Sequence, residues 1–226
     1  MPPLLFGAPA NNSTGQLTNT AFLVSDIYDQ PARYNKIHLV PEAEKGIWPF
    51  SNNNLSLAPG HSRAVFDLPD DLPSITSLIC FDAAFAVWEN SFSSRPGLLA
   101  VITSESLIGK NGTLQALNNS IIRAVESGLP VVRSSATGIS SIIAPDGRIL
   151  VKTDFDTRDF RVARLPLPFE PTLFWKYGPR LNYVTMLMIV FASIFTARVS
   201  IFPYLSSRHA SFLPNLKDKL RSNSCR

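Results

Sequence analysis

Short apolar runs rich in β-branched residues recur between turn signals along the first three quarters of the chain. They fall at residues 4–7, 20–24, 36–40, 64–67, 75–81, 98–103, 130–134, 140–144 and 149–152, and each has the length and composition of a strand. Two of them are joined by Pro145-Asp146-Gly147, the signature of a hairpin turn. One stretch has a different period. Over residues 114–127, Leu114, Leu117, Ile121, Ala124 and Val125 share a helical face. Gly128-Leu129-Pro130 then stops the helix and returns the chain to a strand. A shorter helix is predicted over residues 83–88, directly after the run at 75–81. The Ser/Asn-rich stretches 11–14 and 51–56 read as loops, and no internal repeat is present. Strands mixed with helices predict an α/β (α+β layered) domain over residues 1–170.

The pattern changes after residue 170. Residues 181–197 are 17 positions without a charge, close to the length needed to cross a bilayer. Arg198 can snorkel, and residues 199–205 extend the apolar run. Trp175, Tyr177, Tyr183 and Tyr204 sit near the two ends, where interfacial aromatics belong. The expected layout is a linker at 171–180, a transmembrane helix at 181–205 and a basic tail at 206–226. The alternative is a buried helix of a soluble core. The apolar residues favour no single helical face, so either core or lipid must surround them.

Charge sharpens this division. The 226-residue chain carries a net +4, which by itself would invite a nucleic-acid partner. Residues 1–170 carry 13 Lys/Arg against 16 Asp/Glu, whereas residues 171–226 carry 8 against 1. The positive charge therefore belongs to the last quarter, and the nucleic-acid reading is dropped. Lys176 and Arg180 precede the span, and Arg198, Arg208, Lys217, Lys219, Arg221 and Arg226 follow it, opposed only by Asp218. The positive-inside rule then puts the tail in the cytoplasm, where it can touch anionic headgroups, and the larger domain on the other side. Five Asn-x-Ser/Thr sequons, at Asn11, Asn12, Asn54, Asn111 and Asn118, add only weak support. No signal-peptide pattern follows Met1, so translocation of the domain is expected to need help from upstream. Two cysteines exclude a disulfide scaffold. The scattered His38, His61 and His209 make no metal site, and no cofactor is implied.

Two residues carry candidate chemistry. Cys80 closes the run at 75–81 and is placed to open a helix, where a thiol pKa is lowered by the helix terminus and by any nearby cation. A thiolate there suits covalent acyl transfer. The bland alternative is an inert buried cysteine, which position alone favours. Lys36 lies inside the strand-like run 36–40, where a charge must reach solvent or a partner. A lysine so placed can hold a developing oxyanion; a solvent-facing edge lysine is the commoner case. Glu42 and Glu44 follow, as partners for Lys36 or as a solvated loop with Lys45, and His38 reads as a hydrogen-bonded structural residue. Cys225 lies in the basic tail and, with a span between, cannot pair with Cys80.

Several segments recur in a set order: Gly7-Ala8-Pro9, Tyr34-Asn35-Lys36 with His38-Leu39-Val40-Pro41, and Leu78-Ile79-Cys80-Phe81-Asp82. Arg123-Ala124-Val125-Glu126, Leu129-Pro130-Val131-Val132-Arg133, Ala136-Thr137-Gly138-Ile139-Ser140 and Pro145-Asp146-Gly147 follow. Leu165-Pro166-Leu167-Pro168 and Tyr177-Gly178 then lead to the apolar run. Together these segments resemble the nitrilase (carbon–nitrogen hydrolase) superfamily, closest to the catalytic domain and terminal helix of its apolipoprotein N-acyltransferase branch. The resemblance implies an α-β-β-α sandwich with a Glu–Lys–Cys triad. It makes Cys80 the nucleophile, Lys36 the stabiliser of the tetrahedral intermediate and Glu44 a supporting carboxylate. It further implies a membrane phospholipid as acyl donor, a lipoprotein amine as acceptor and a bilayer as the setting.

Three departures stand against the pattern. The family's catalytic glutamate lies on a strand before the Gly-Ala-Pro segment, whereas residues 1–6 hold no carboxylate. The expectation is an N-terminally incomplete sandwich, part of something longer, poorly soluble or partner-dependent alone and slow in turnover. An Asp-x-Trp-Phe-Gly-like stretch reads Glu105-Ser106-Leu107-Ile108-Gly109, without its aromatics. Asp82 stands where the acyltransferase branch has glutamate and the soluble amidases have aspartate. Three readings follow: a membrane-anchored cysteine N-acyltransferase, an amidase that uses water as acceptor, and a catalytically impaired remnant or interaction domain.

Overall fold

The computed structural model describes residues 1–41, 43–45, 56–70 and 72–197. The chain divides into two compact units, Met1–Gly178 and Pro179–Arg226. Glu42, most of the 51–56 loop, the span beyond residue 197 and the basic tail with Cys225 lie outside the described residues.

In the first unit, β1 (Leu4–Asn11), β2 (Leu17–Val24) and β3 (Ala32–Asn35) form an antiparallel sheet in chain order. A second sheet holds β4 (Val65–Phe66), β5 (Ile75–Ile79), β6 (Leu98–Thr103), β7 (Val131–Ser135), β8 (Ser141–Ile143) and β9 (Ile149–Lys152), also in chain order. Its centre is parallel, β5 to β6 to β7, and its flanks are antiparallel. A parallel step needs a crossover, and α1 (Gly109–Ser127) supplies it between β6 and β7. The Pro145-Asp146-Gly147 hairpin forms as expected, with Gly147 at φ 86°.

The near-continuous apolar runs of β5 and β6 are explained by two cores, one on each face. Ile75 and Ile79 of β5, with Leu98 and Ala100 of β6, pack toward Ala21, Leu23 and Tyr34 of the three-stranded sheet. Leu78, Leu99 and Val101 point the other way, into a cluster with Leu117 and Ala124 of α1, Val131, Ile143 and Trp175. Sheet, sheet and helix are thus three successive layers of the anticipated sandwich. The last, α2 (Leu173–Tyr177), brings Trp175 into the helical-side core.

Three elements differ from the sequence reading. The helix begins at Gly109, five residues earlier than its apolar period, because Lys110 to Thr113 add turns with no shared apolar face. It ends at Gly128, in the left-handed conformation at φ 66°, whose N–H caps Ala124 O. The run 36–40 is not a strand: His38 N–H goes to the Asp82 carboxylate and Val40 N–H to that of Glu44, so neither joins a ladder. Residues 83–88 are not a helix either. A 3₁₀ turn, Cys80–Ala84, is capped when Phe85 N–H returns to Asp82 O, and Phe85 turns extended to stack on His38.

In the second unit, α3 (Arg180–Ala197) is 18 residues long and apolar enough to cross a membrane.

Candidate active site

Lys36 follows β3 directly. Its N–H donates to Asn19 O and its carbonyl accepts from Gly60 N–H, both at 2.8 Å, which fixes the backbone without a strand. The side chain is only 1% exposed, so the solvent-facing alternative is excluded. Its Nζ donates to Glu44 Oε2 at 2.6 Å. Glu44 in turn accepts from Asn19 Nδ2 at 2.9 Å through Oε1 and from Val40 N–H at 2.8 Å through Oε2. A buried ammonium is tolerable only when paired and hydrogen-bonded, and this carboxylate meets that condition while its other contacts hold it still.

Cys80 is the first residue of the 3₁₀ turn that follows β5. It is half-buried, a free thiol, and adopts φ 49°. A side chain in the left-handed region costs of order 1–3 kcal/mol and is kept where surrounding structure imposes it. A five-residue 3₁₀ turn stands where a helix was expected to follow Cys80.

Asp82 joins the two segments. It is fully buried. Oδ2 accepts from Tyr34 Oη at 2.7 Å and from Ile79 N–H at 3.2 Å; Oδ1 accepts from His38 N–H at 2.8 Å and lies 3.1 Å from His38 Nδ1. Tyr34 and His38 flank Lys36, and Ile79 adjoins Cys80. One carboxylate therefore sets the lysine segment against the cysteine turn. Burial, and then the charge of Asp82, raise the Tyr34 phenol well above its ordinary pKa. Asp82 has no site role in the sequence reading, although a carboxylate between Phe81 and Ala83 at the end of an apolar strand demands partners.

A second buried group was also missed. Arg133 of β7 ion-pairs with Glu105, which follows β6, and donates to Ile139 O at 3.1 Å and Ser120 Oγ at 3.2 Å. Burial pushes its guanidinium down to about 10, while charge on Cys80 opposes that shift. Cys80 and Glu105 thus follow the carboxyl ends of parallel β5 and β6, where sites in such sheets lie, and Arg133, midway along β7, reaches Glu105 from the neighbouring strand. An arginine inside Leu129-Pro130-Val131-Val132-Arg133 was the available signal. Leu107 and Ile108, in place of the aromatics, are exposed. Among the described residues no group of three His, Cys, Asp or Glu is placed to hold a metal ion.

The site thus holds a thiol on a left-handed backbone and a fixed ammonium, on two segments that Asp82 joins, and these are the parts needed to attack a carbonyl and hold its oxyanion. The family model for carbon-nitrogen hydrolases matches residues 2–169, and the chain belongs to that family. It is 30% identical over 172 residues to an apolipoprotein N-acyltransferase of Rhodopseudomonas palustris, covering 70% of this chain and 32% of that one. It is 34% identical over 157 residues to the Geobacter metallireducens enzyme of the same name, covering 63% and 30%. The chain thus spans about a third of the length of these curated relatives. Among solved structures, an amidase from Nesterenkonia sp. superposes with a TM-score of 0.50 at 20% identity, over 68% of this chain and 57% of that one. A glutamine-dependent NAD+ synthetase from Acinetobacter baumannii gives 0.52 at 18%, over 70% and 30%. At these identities the likeness concerns the fold, which is nitrilase-like.

Proposed function

We propose that the chain carries out N-acyl transfer through a Cys80 thioester at a membrane surface. The observation that supports this best is the Lys36–Glu44 pair, held by Asp82 against the turn of Cys80. In the first step the Cys80 thiolate attacks an ester carbonyl of a phospholipid. The S–C bond forms, Lys36 Nζ steadies the oxyanion, and the ester C–O bond breaks to release a lysophospholipid that takes up a proton. In the second step an amine, such as a lipoprotein N-terminus, attacks the thioester. The C–N bond forms, the C–S bond breaks, and the amine gives up a proton as the thiolate is regenerated. The apolar helix Arg180–Ala197 supports anchoring in the bilayer that holds the donor. The excess of Lys/Arg after it supports a cytoplasmic tail, with the domain on the opposite side.

A second reading, hydrolysis of a carbon–nitrogen bond with water as acceptor, draws on Asp82, the residue type found here in soluble amidases of the family. The two separate on product. The full chain in nonionic detergent is given an alkyne-tagged phospholipid and an N-terminal-cysteine lipopeptide, or in parallel a simple amide. Tagged amide product, lowered about 100-fold by Lys36→Met, is expected. Amide hydrolysis without acyl transfer would replace this proposal with the second reading, and neither activity would leave the impaired-remnant reading.

A further inference from the structure

Apart from the catalytic residues, a cavity of about 570 Å³ is lined by Phe92, Arg95, Trp175, Lys176, Tyr177 and Glu89. Cys80, Lys36 and Glu44 are not among its lining residues. Its wall is ordered. Phe92 stacks on Trp175 with ring centres 5.5 Å apart, and the Arg95 guanidinium lies over the Trp175 ring, 5.6 Å from its centre. Arg95 Nη2 donates to Phe169 O at 2.7 Å and Ser127 O at 3.2 Å, which fixes the plane of the fork. Its Nε is buried and finds no hydrogen-bond partner among the described residues. Lys176 brings a second cation to the same cavity on an exposed side chain.

We propose that this cavity binds the phosphodiester headgroup of an anionic phospholipid, so that a lipid other than the reacting one seats the domain on the bilayer. With both Nη2 hydrogens spent on carbonyls, Arg95 offers an anion a fixed positive charge and its Nη1 donors, and a flexible lysine adds a point charge. The exposed Tyr177 presents an amphipathic ring of the kind that belongs at headgroup depth. Lys176 and Tyr177 stand four and three positions ahead of Arg180, where the apolar helix begins. Glu89 opposes an anionic ligand, and its removal is expected to tighten binding. The site rests on the membrane reading above.

The test uses the full chain in nonionic detergent, titrated calorimetrically with dihexanoyl-phosphatidylglycerol and separately with inorganic phosphate. The expected result is saturable lipid binding, about tenfold weaker for phosphate alone, since the glycerol and first acyl carbons add contact. Lys176→Gln and Arg95→Gln should each weaken lipid binding about tenfold, and Glu89→Gln should tighten it. Arg95→Gln also loses two carbonyl contacts, so the exposed Lys176→Gln variant decides the matter if the former unfolds. Absence of saturable binding, indifference to Lys176→Gln, or phosphate binding as tightly as lipid would overturn the proposal. Flotation of the chain with phosphatidylcholine vesicles tests the membrane reading separately. A chain that floats but does not bind loses only the headgroup site, whereas a chain that does not float loses the membrane reading and the site with it.

Discussion

The Tyr34 hydroxyl donates to Asp82 Oδ2 at 2.7 Å, and the accepting carboxylate has no exposure to solvent. This bond ties the segment before Lys36 to the turn after Cys80. Tyr34→Phe removes one hydrogen bond to a charged acceptor and should cost about 1.5–3 kcal/mol. Asp82→Ala strands the donors of Tyr34, His38 and Ile79 together and should cost more, about 3–5 kcal/mol. Denaturant midpoints of the two variants check the order; equal midpoints would remove Asp82 from its joining role.

The same pair produces a pH signature. The Tyr34 phenol is raised in the folded chain, so its contribution is fully present below the unfolded value near 10 and is lost as pH rises toward the folded one. Arg133, pushed down to about 10, acts oppositely, because its buried charge is relieved over the same alkaline range. The difference between wild type and Tyr34→Phe isolates the phenol. That difference should shrink above pH 10 by about 1.4 kcal/mol per pH unit, and a constant difference would contradict the raised phenol.

Cys80 sits at φ 49°, a conformation that glycine adopts freely and alanine does not. Cys80→Ala and Cys80→Gly both remove the thiol, yet Cys80→Gly should be the more stable by about 0.5–1 kcal/mol. In an ordinary extended position the order would reverse. Thermal melts of the two variants decide whether the thiol is held on a strained backbone.

Gly138 faces the carboxylate of Glu105 and the Ser135 hydroxyl, so an added methyl would push Glu105 off Arg133. Gly138→Ala should therefore behave like the loss of a buried ion-pair partner, costing about 3–5 kcal/mol. Gly138→Ala combined with Arg133→Met should cost clearly less than the sum of the single changes. Additive costs would mean that the glycine serves some other purpose.

The short apolar runs of β5 and β6 and the Pro145-Asp146-Gly147 turn were legible because each is decided within a few residues. Residues 36–40 and 83–88 were misread because distant carboxylates and an aromatic contact claim their backbone. His38 N–H goes to Asp82, 44 residues away, and Phe85 leaves helical geometry to lie on His38. Lys36 and Cys80 were found as residue types in a family pattern. Asp82 and the Arg133–Glu105 pair were missed because their importance lies in whom they meet across the sheets, and single-residue composition does not carry that.

The most direct measurement is the intact mass of the full chain after incubation with phospholipid in detergent, for wild type, Cys80→Ala and Lys36→Met. One acyl group added to wild type, removed by neutral hydroxylamine, absent from Cys80→Ala and slowed about 100-fold in Lys36→Met is the expected outcome. An unmodified wild-type chain, or equal labelling of Cys80→Ala, would contradict acyl transfer through this thiol.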